Sequence, residues 1–353
     1  MCPESRSGVV KGSAQPSAYQ FFKSTFDMMT TLPPLSSISI NADIRELAES
    51  IENCNNGLLL LTDLPSAPFE PILNLIQHAN WVKERLNQAY PKNLVYKDSY
   101  ASGNGGPNVD RKRVLDLGPE RMVQITKSEP DLVEQALVLQ RPLEYFQSIQ
   151  SLIGTKVLPA LAKAIGSEEL LEDVAYNYRM VDYYPSEKED EMVAPRCGEH
   201  RDFGYLTIVQ ATHPGLQVFW NEEWHDLPPI AQGTALLLFG WCTQIRSNGR
   251  IPAALHRVDR HYDANTSRIS AILFCAPKQE GTLLEPVLRE EGESLKYIRG
   301  IKVGQLRGSM ARKWRSREGT LSKEDAILEE EEILATNRKT QDDVVDYFVK
   351  VAN

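Results

Sequence analysis

The chain has 353 residues, 42% of them apolar and 25% charged, which suits one large catalytic domain with additions or two small domains. Its formal net charge of −9 argues against a nucleic-acid binder that works by neutralising phosphates. No run of about 18 apolar residues occurs, so nothing reads as a membrane-spanning helix.

Residues 1–32 read as a small, polar, flexible leader without the apolar stretch of a secretory signal. A region from 33 to 175 follows. Leu32 to Ile40 looks like a linker running into a first strand. Ile44, Leu47 and Ile51 then share one face of a helix. Gly57 to Asp63 has the texture of a buried strand, and Phe69 to Tyr90 that of a second amphipathic helix. Tyr100 to Arg113 is a Gly- and Asn-rich loop of a length that often borders a functional site, and a strand is expected near residue 115. Leu143, Phe146, Ile149, Ile153, Val157, Leu161 and Ile165 keep helical rhythm and predict a scaffold helix over 142–165, with Pro142 in its first turn.

From 176 to 280 the texture changes to short β-branched and aromatic segments separated by Pro, Gly and Asn, the pattern of a sandwich or barrel. Helical patterns return over 281–353. There, five basic residues between Arg307 and Arg317 and the acidic run after them read as complementary solvated faces rather than a nucleic-acid patch. The five cysteines, Cys2, Cys54, Cys197, Cys242 and Cys275, are widely spaced and odd in number. With no signal peptide, that predicts reduced thiols in a cytoplasmic protein.

Two runs in the β-rich block carry the chemistry. "GEHRDFGYLTIV" holds His200 and Asp202, which would point to the same side of a strand and grip one ion together. His256, in "ALHRV", lies several strands later, where a rolled-up sheet would return it to the same mouth. Two imidazoles and one carboxylate leave three positions open on an octahedral ion, the requirement of a non-haem iron(II) centre that binds a co-substrate and dioxygen. Cys197, three residues before His200, invites zinc, but no paired C-x-x-C spacing supports it. His78, His213, His225 and His261 read as surface or satisfied polar groups.

Arg268 and Ser270 also stand two apart on an expected strand. A guanidinium meets a carboxylate with two parallel hydrogen bonds, and the hydroxyl adds a donor. The same arginine would equally serve as a sheet-edge ion pair. The tyrosine pair in "VDYYP" offers a further donor, for which Tyr184 is the choice.

The stretch from Arg179 to Pro277 resembles the 2-oxoglutarate- and iron(II)-dependent oxygenases of the isopenicillin N synthase-like superfamily, through "VDYYP", "HRDFGYLTIV", "PGLQVFWNEEWHDLPP", "QIRSNGR", "ALHRV" and "SRIS". The resemblance implies an α+β fold with a mostly β core, a double-stranded β-helix (jelly roll, cupin-like) with flanking helices. It implies His200, Asp202 and His256 as iron ligands. Arg268, Ser270 and Tyr184 would bind 2-oxoglutarate, and dioxygen would be the oxidant. The implied activity is hydroxylation, desaturation or ring formation on a small-molecule metabolite. The substrate walls would come from 100–108 and 305–314.

Two departures stand out. Asp182 stands where asparagine is frequent, and since a carboxylate beside the keto-acid would repel it, the local contact must differ. Trp241 follows Gly240 where an aspartate is frequent, and both suggest a reshaped pocket. Three rivals share these motifs. One is an iron oxidase that uses Arg268 and Ser270 on its own substrate, the second a non-enzymatic jelly roll that binds a small acid, and the third a nucleic-acid demethylase.

Overall fold

The computed structural model describes residues 35–77, 96–98, 112–119, 133–167, 173–185, 196–259, 266–297, 299–308 and 310. The leader, the loop over 100–108, His78, His261 and the segment after 310 lie outside them.

Twelve strands are described: β1 (Ser37–Ser39), β2 (Leu58–Thr62), β3 (Tyr96–Asp98), β4 (Arg113–Leu117), β5 (Val174–Tyr183), β6 (Cys197–His200), β7 (Leu206–Ala211), β8 (Leu216–Trp220), β9 (Glu223–Asp226), β10 (Ala235–Phe239), β11 (His256–Val258) and β12 (Arg268–Pro277). They form an eight-stranded sheet, in the order β1-β2-β10-β7-β12-β5-β4-β3, and a four-stranded sheet, β6-β11-β8-β9. All residues of β7 and β10 are buried, as expected for central strands covered on both faces. β12 pairs with β5 along its whole length, from Arg268 opposite Tyr183 to Pro277 opposite Val174. The two sheets enclose a cavity between them, and helices cover the outside: a jelly roll.

Helix α1 (Ile44–Glu52) begins with a capping box: Asp43 Oδ1 accepts from the N–H groups of Arg45 and Glu46 at 2.8 and 2.9 Å. Its buried stripe is Leu47, Ala48 and Ile51. Ile44, expected on that stripe, is 39% exposed. Helix α2 (Phe69–Gln77) buries Ile72, Leu75 and Ile76; the rest of the expected second helix lies outside the described residues.

The scaffold helix differs from expectation. Helix α3 runs Val133–Leu152 with Pro142 in its interior, so the proline removes one ladder bond instead of starting the helix. A π-turn over Ile153–Val157 follows, in which the Leu158 N–H reaches back to Ile153 O, and α4 (Leu158–Ile165) continues. Pro159 has no N–H for the carbonyl four residues back, and the wider turn accommodates this. The rhythm Phe146, Ile149, Ile153, Val157, Leu161 survives the irregularity, and all five are buried. The short helix α5 (Trp241–Arg246) has no counterpart in the sequence reading.

Candidate metal centre and co-substrate cavity

β6 ends on His200, and His256 opens β11 as its register partner across the antiparallel ladder. Their ring centroids stand 4.2 Å apart. Asp202 lies beyond the end of β6, not on it. Its backbone is fixed by α5: the Trp241 N–H donates to Asp202 O at 2.9 Å. Gly240 makes this approach possible, since a Cβ there would fall 2.7 Å from Asp202 O and 2.4 Å from Gly204 O. The helix start at Gly240-Trp241, flagged as a departure, is therefore what positions the carboxylate.

One ligating atom from each of His200, Asp202 and His256 lies within 4.8 Å of the others, and no other such triple occurs among the described residues. His200 Nε2 is 3.6 Å from Asp202 Oδ1. The outer contacts fit a metal. His200 Nδ1 lies 2.8 Å from Gly198 O and His256 Nδ1 lies 3.0 Å from Ala254 O, so each Nδ1 carries the proton and each Nε2 lone pair is available. Asp202 Oδ2 accepts from Thr207 Oγ1 at 2.6 Å, which leaves Oδ1 for the ion.

These side chains line a cavity that also contains Arg268 and Ser270. Both are buried at the start of β12. Arg268 Nε donates to the carbonyls of His213 and Pro214 at 3.0 and 2.9 Å, and Nη1 donates to Ser270 Oγ at 2.6 Å. No carboxylate pairs with Arg268 among the described residues, and burial pushes its pKa down. A sheet-edge ion pair is thus not what the structure shows. An unmatched buried guanidinium in this cavity calls for an anionic ligand.

Tyr184 is not in the cavity; its ring lies under the Arg113 guanidinium, 4.7 Å away. Tyr183 instead lines the cavity, opposite Arg268 in register and 5.3 Å from ring centroid to guanidinium carbon. Asp182 is not among the cavity-lining residues and meets Arg113 at 3.8 Å, the differing local contact that its charge calls for. Cys197 lines the cavity outside the ligand triple, with Lys112 Nζ donating to its Sγ at 3.0 Å. His225 is buried with Nε2 3.0 Å from Trp220 O, and His213 is exposed; neither belongs to the metal cluster. Of the segment 305–314, Gln305 to Gly308 and Met310 are described and do not line the cavity.

A jelly roll with an open two-histidine, one-carboxylate cluster at one end and a buried arginine within defines a class. Residues 174–277 match the family model "2OG-Fe(II) oxygenase superfamily", so this β-rich block is similar to a superfamily whose cofactors are iron(II) and 2-oxoglutarate. Gibberellin 20 oxidase 4 of Arabidopsis thaliana is 30% identical over 156 residues, 42% of this chain and 40% of that protein. Scopoletin 8-hydroxylase, also of Arabidopsis thaliana, is 36% identical over 115 residues, 31% of each chain. The matched stretches thus span two fifths or less of these relatives. The rice dioxygenase for auxin oxidation superimposes with a TM-score of 0.61 at 20% identity, covering 81% of this chain and 96% of that one, and shares the fold.

Proposed function

We propose that the protein is an iron(II)- and 2-oxoglutarate-dependent oxygenase that hydroxylates, desaturates or cyclises a small specialised metabolite. The observation that carries this reading is Arg268, buried without a carboxylate partner among the described residues and in the same cavity as His200, Asp202 and His256. Relatives named for gibberellin and scopoletin support a specialised metabolite as substrate.

In this reading His200 and His256 hold iron(II) through Nε2, and Asp202 holds it through Oδ1. Iron(II) with bound 2-oxoglutarate supplies the activation of dioxygen that oxidises a substrate C–H bond. Gly198 and Ala254 carbonyls hold both imidazoles in one tautomer and orientation. Arg268 and Ser270 bind the far carboxylate, with the Tyr183 ring beside the guanidinium. Apolar walls, among them Val181, Leu216 and Leu238, exclude water and keep these contacts strong. No helix among the described residues is long and apolar enough to cross a membrane. Four free, buried cysteines support a reducing, cytoplasmic setting.

The test is an anaerobic titration of the iron(II)-loaded protein with 2-oxoglutarate, following the weak visible charge-transfer band of the chelate. A band in the wild type that needs far more keto-acid in Arg268→Ala is the expected result. Iron binding without a band would favour an oxidase that uses Arg268 on its own substrate. Absence of iron binding would overturn the enzyme reading.

A further inference from the structure

A second guanidinium lines the same cavity. On β5 the inward-facing residues are Arg179, Val181 and Tyr183, at two-residue steps. Tyr183 sits opposite Arg268, whereas Arg179 sits opposite Ile272, four residues along β12. That is about 13 Å of strand at about 3.3 Å per residue. Arg179 therefore occupies a different layer of the cavity from the arginine assigned to 2-oxoglutarate.

It is also held differently. Arg179 Nε and Nη2 donate to the two oxygens of Asp116 at 2.6 and 2.9 Å, a bidentate pair across the β4–β5 ladder. Asn177 Nδ2 donates to the same carboxylate at 3.2 Å, and the Phe274 ring lies 4.9 Å from the guanidinium carbon. Burial works against the Arg179 charge, yet Asp116, with Asp202 adding to it, pushes the pKa up, so the group is a fixed cation beside the metal cluster. Nη1 is left without a partner among the described residues, and the side chain remains 34% exposed. An ion pair that only tied β4 to β5 would not need to present this edge to the cavity. A ligand oxygen meeting Nη1 would lie across the guanidinium from Asp116, which keeps the two anions apart. The neighbouring wall is apolar: Ile272, Val209 and Phe274.

From this we propose that Arg179 is the substrate-anchoring residue, with Asp116 as its positioning residue, and that the substrate is a monocarboxylic acid on an apolar body. This rests on the oxygenase reading above and names the substrate class for the same cavity.

The test uses the anaerobic iron(II)–2-oxoglutarate complex of the full chain and the shift of its visible band on adding phenylacetate, trans-cinnamate or octanoate, each compared with its methyl ester. At least one acid is expected to shift the band at a concentration lower than its ester by about tenfold or more, the scale of one charge-assisted hydrogen bond. The charge-balanced variant R179Q/D116N, which leaves neither partner as a bare charge, should lose that preference while its 2-oxoglutarate midpoint stays put. The midpoint also reports that the variant is folded. Esters that match the acids, or failure of every acid to bind, would overturn the assignment. A 2-oxoglutarate midpoint that moves with the variant would place Arg179 in the co-substrate site instead. Failure of the oxygenase reading itself would look different: no band in the wild type before any acid is added.

Discussion

Thr207 Oγ1 donates to Asp202 Oδ2 at 2.6 Å, while Asp202 Oδ1 faces His200 Nε2 at 3.6 Å. One oxygen of the carboxylate is thus committed to the protein, and the other to the open centre of the cluster. Thr207 is buried on β7 and lines the cavity beside Asp202. Thr207→Val keeps the shape of the side chain and frees the carboxylate to rotate. Iron(II) affinity should fall by about tenfold to a hundredfold, with the fold intact by circular dichroism. Equal iron affinity in the two proteins would mean that Asp202 is held by something other than Thr207.

Arg268 carries the co-substrate prediction. Ligand binding to the folded state alone stabilises it by about 2.7 kcal/mol at a hundredfold excess over Kd. Wild-type protein with iron(II) under anaerobic conditions should therefore melt a few degrees higher when 2-oxoglutarate is added. Arg268→Met should lose this increment over the same concentrations, and Arg268→Lys should recover only part of it, since an ammonium cannot reproduce the planar fork. An undiminished shift in Arg268→Met would take the arginine out of the keto-acid site.

Gly240 links stability to the metal. A Cβ at this position would meet two backbone oxygens, those of Gly204 and Asp202, at 2.4 and 2.7 Å. Neither has a flexible end that could swing aside. Gly240→Ala should cost about 1–3 kcal/mol of folding stability and weaken iron binding in the same protein, because the displaced backbone carries Asp202. Gly281→Ala, with nothing within 4 Å of the added atom, is the control and should stay within about 0.5 kcal/mol. Denaturant midpoints and iron titrations of the two variants check both halves.

The clustering of His200, Asp202 and His256 is legible in the sequence because their words are local and because β6, β11 and β12 follow from β-branched texture. What escaped was register. "VDYYP" offers two adjacent tyrosines, and only the pairing of Arg268 with Tyr183 decides which one faces the cavity; a slip of one residue exchanges the faces. The same parity turns Asp182 outward to Arg113, a partner on β4 that no periodicity in β5 announces. Arg179 carries no signal of its own in the sequence, since its significance depends on Asp116 from a strand some sixty residues earlier. Pro142 misled in another way. A proline is a good helix starter, but the apolar rhythm on either side of it outweighed the loss of one backbone hydrogen bond.

Buried acids set the alkaline limit of the fold. Burial pushes the Cys54 thiol up to about 12 from an ordinary 9.0, and raises Cys242, Cys275, Tyr145, Tyr178 and Tyr205 as well. A folded-state pKa above the unfolded value favours the neutral group in the fold. The stability this contributes is complete below the unfolded pKa and is lost as pH rises toward the folded one. Denaturant unfolding should therefore give a constant midpoint up to the 9.0 of a free thiol, then a decline as pH approaches the value of about 12 set for Cys54. At pH 8, iodoacetamide should leave Cys54, Cys242 and Cys275 unmodified in the native protein and label all three in denaturant, as read by peptide mass. Native labelling of these thiols on the same time scale would show that the helices and sheet covering them open far more readily than their packing implies.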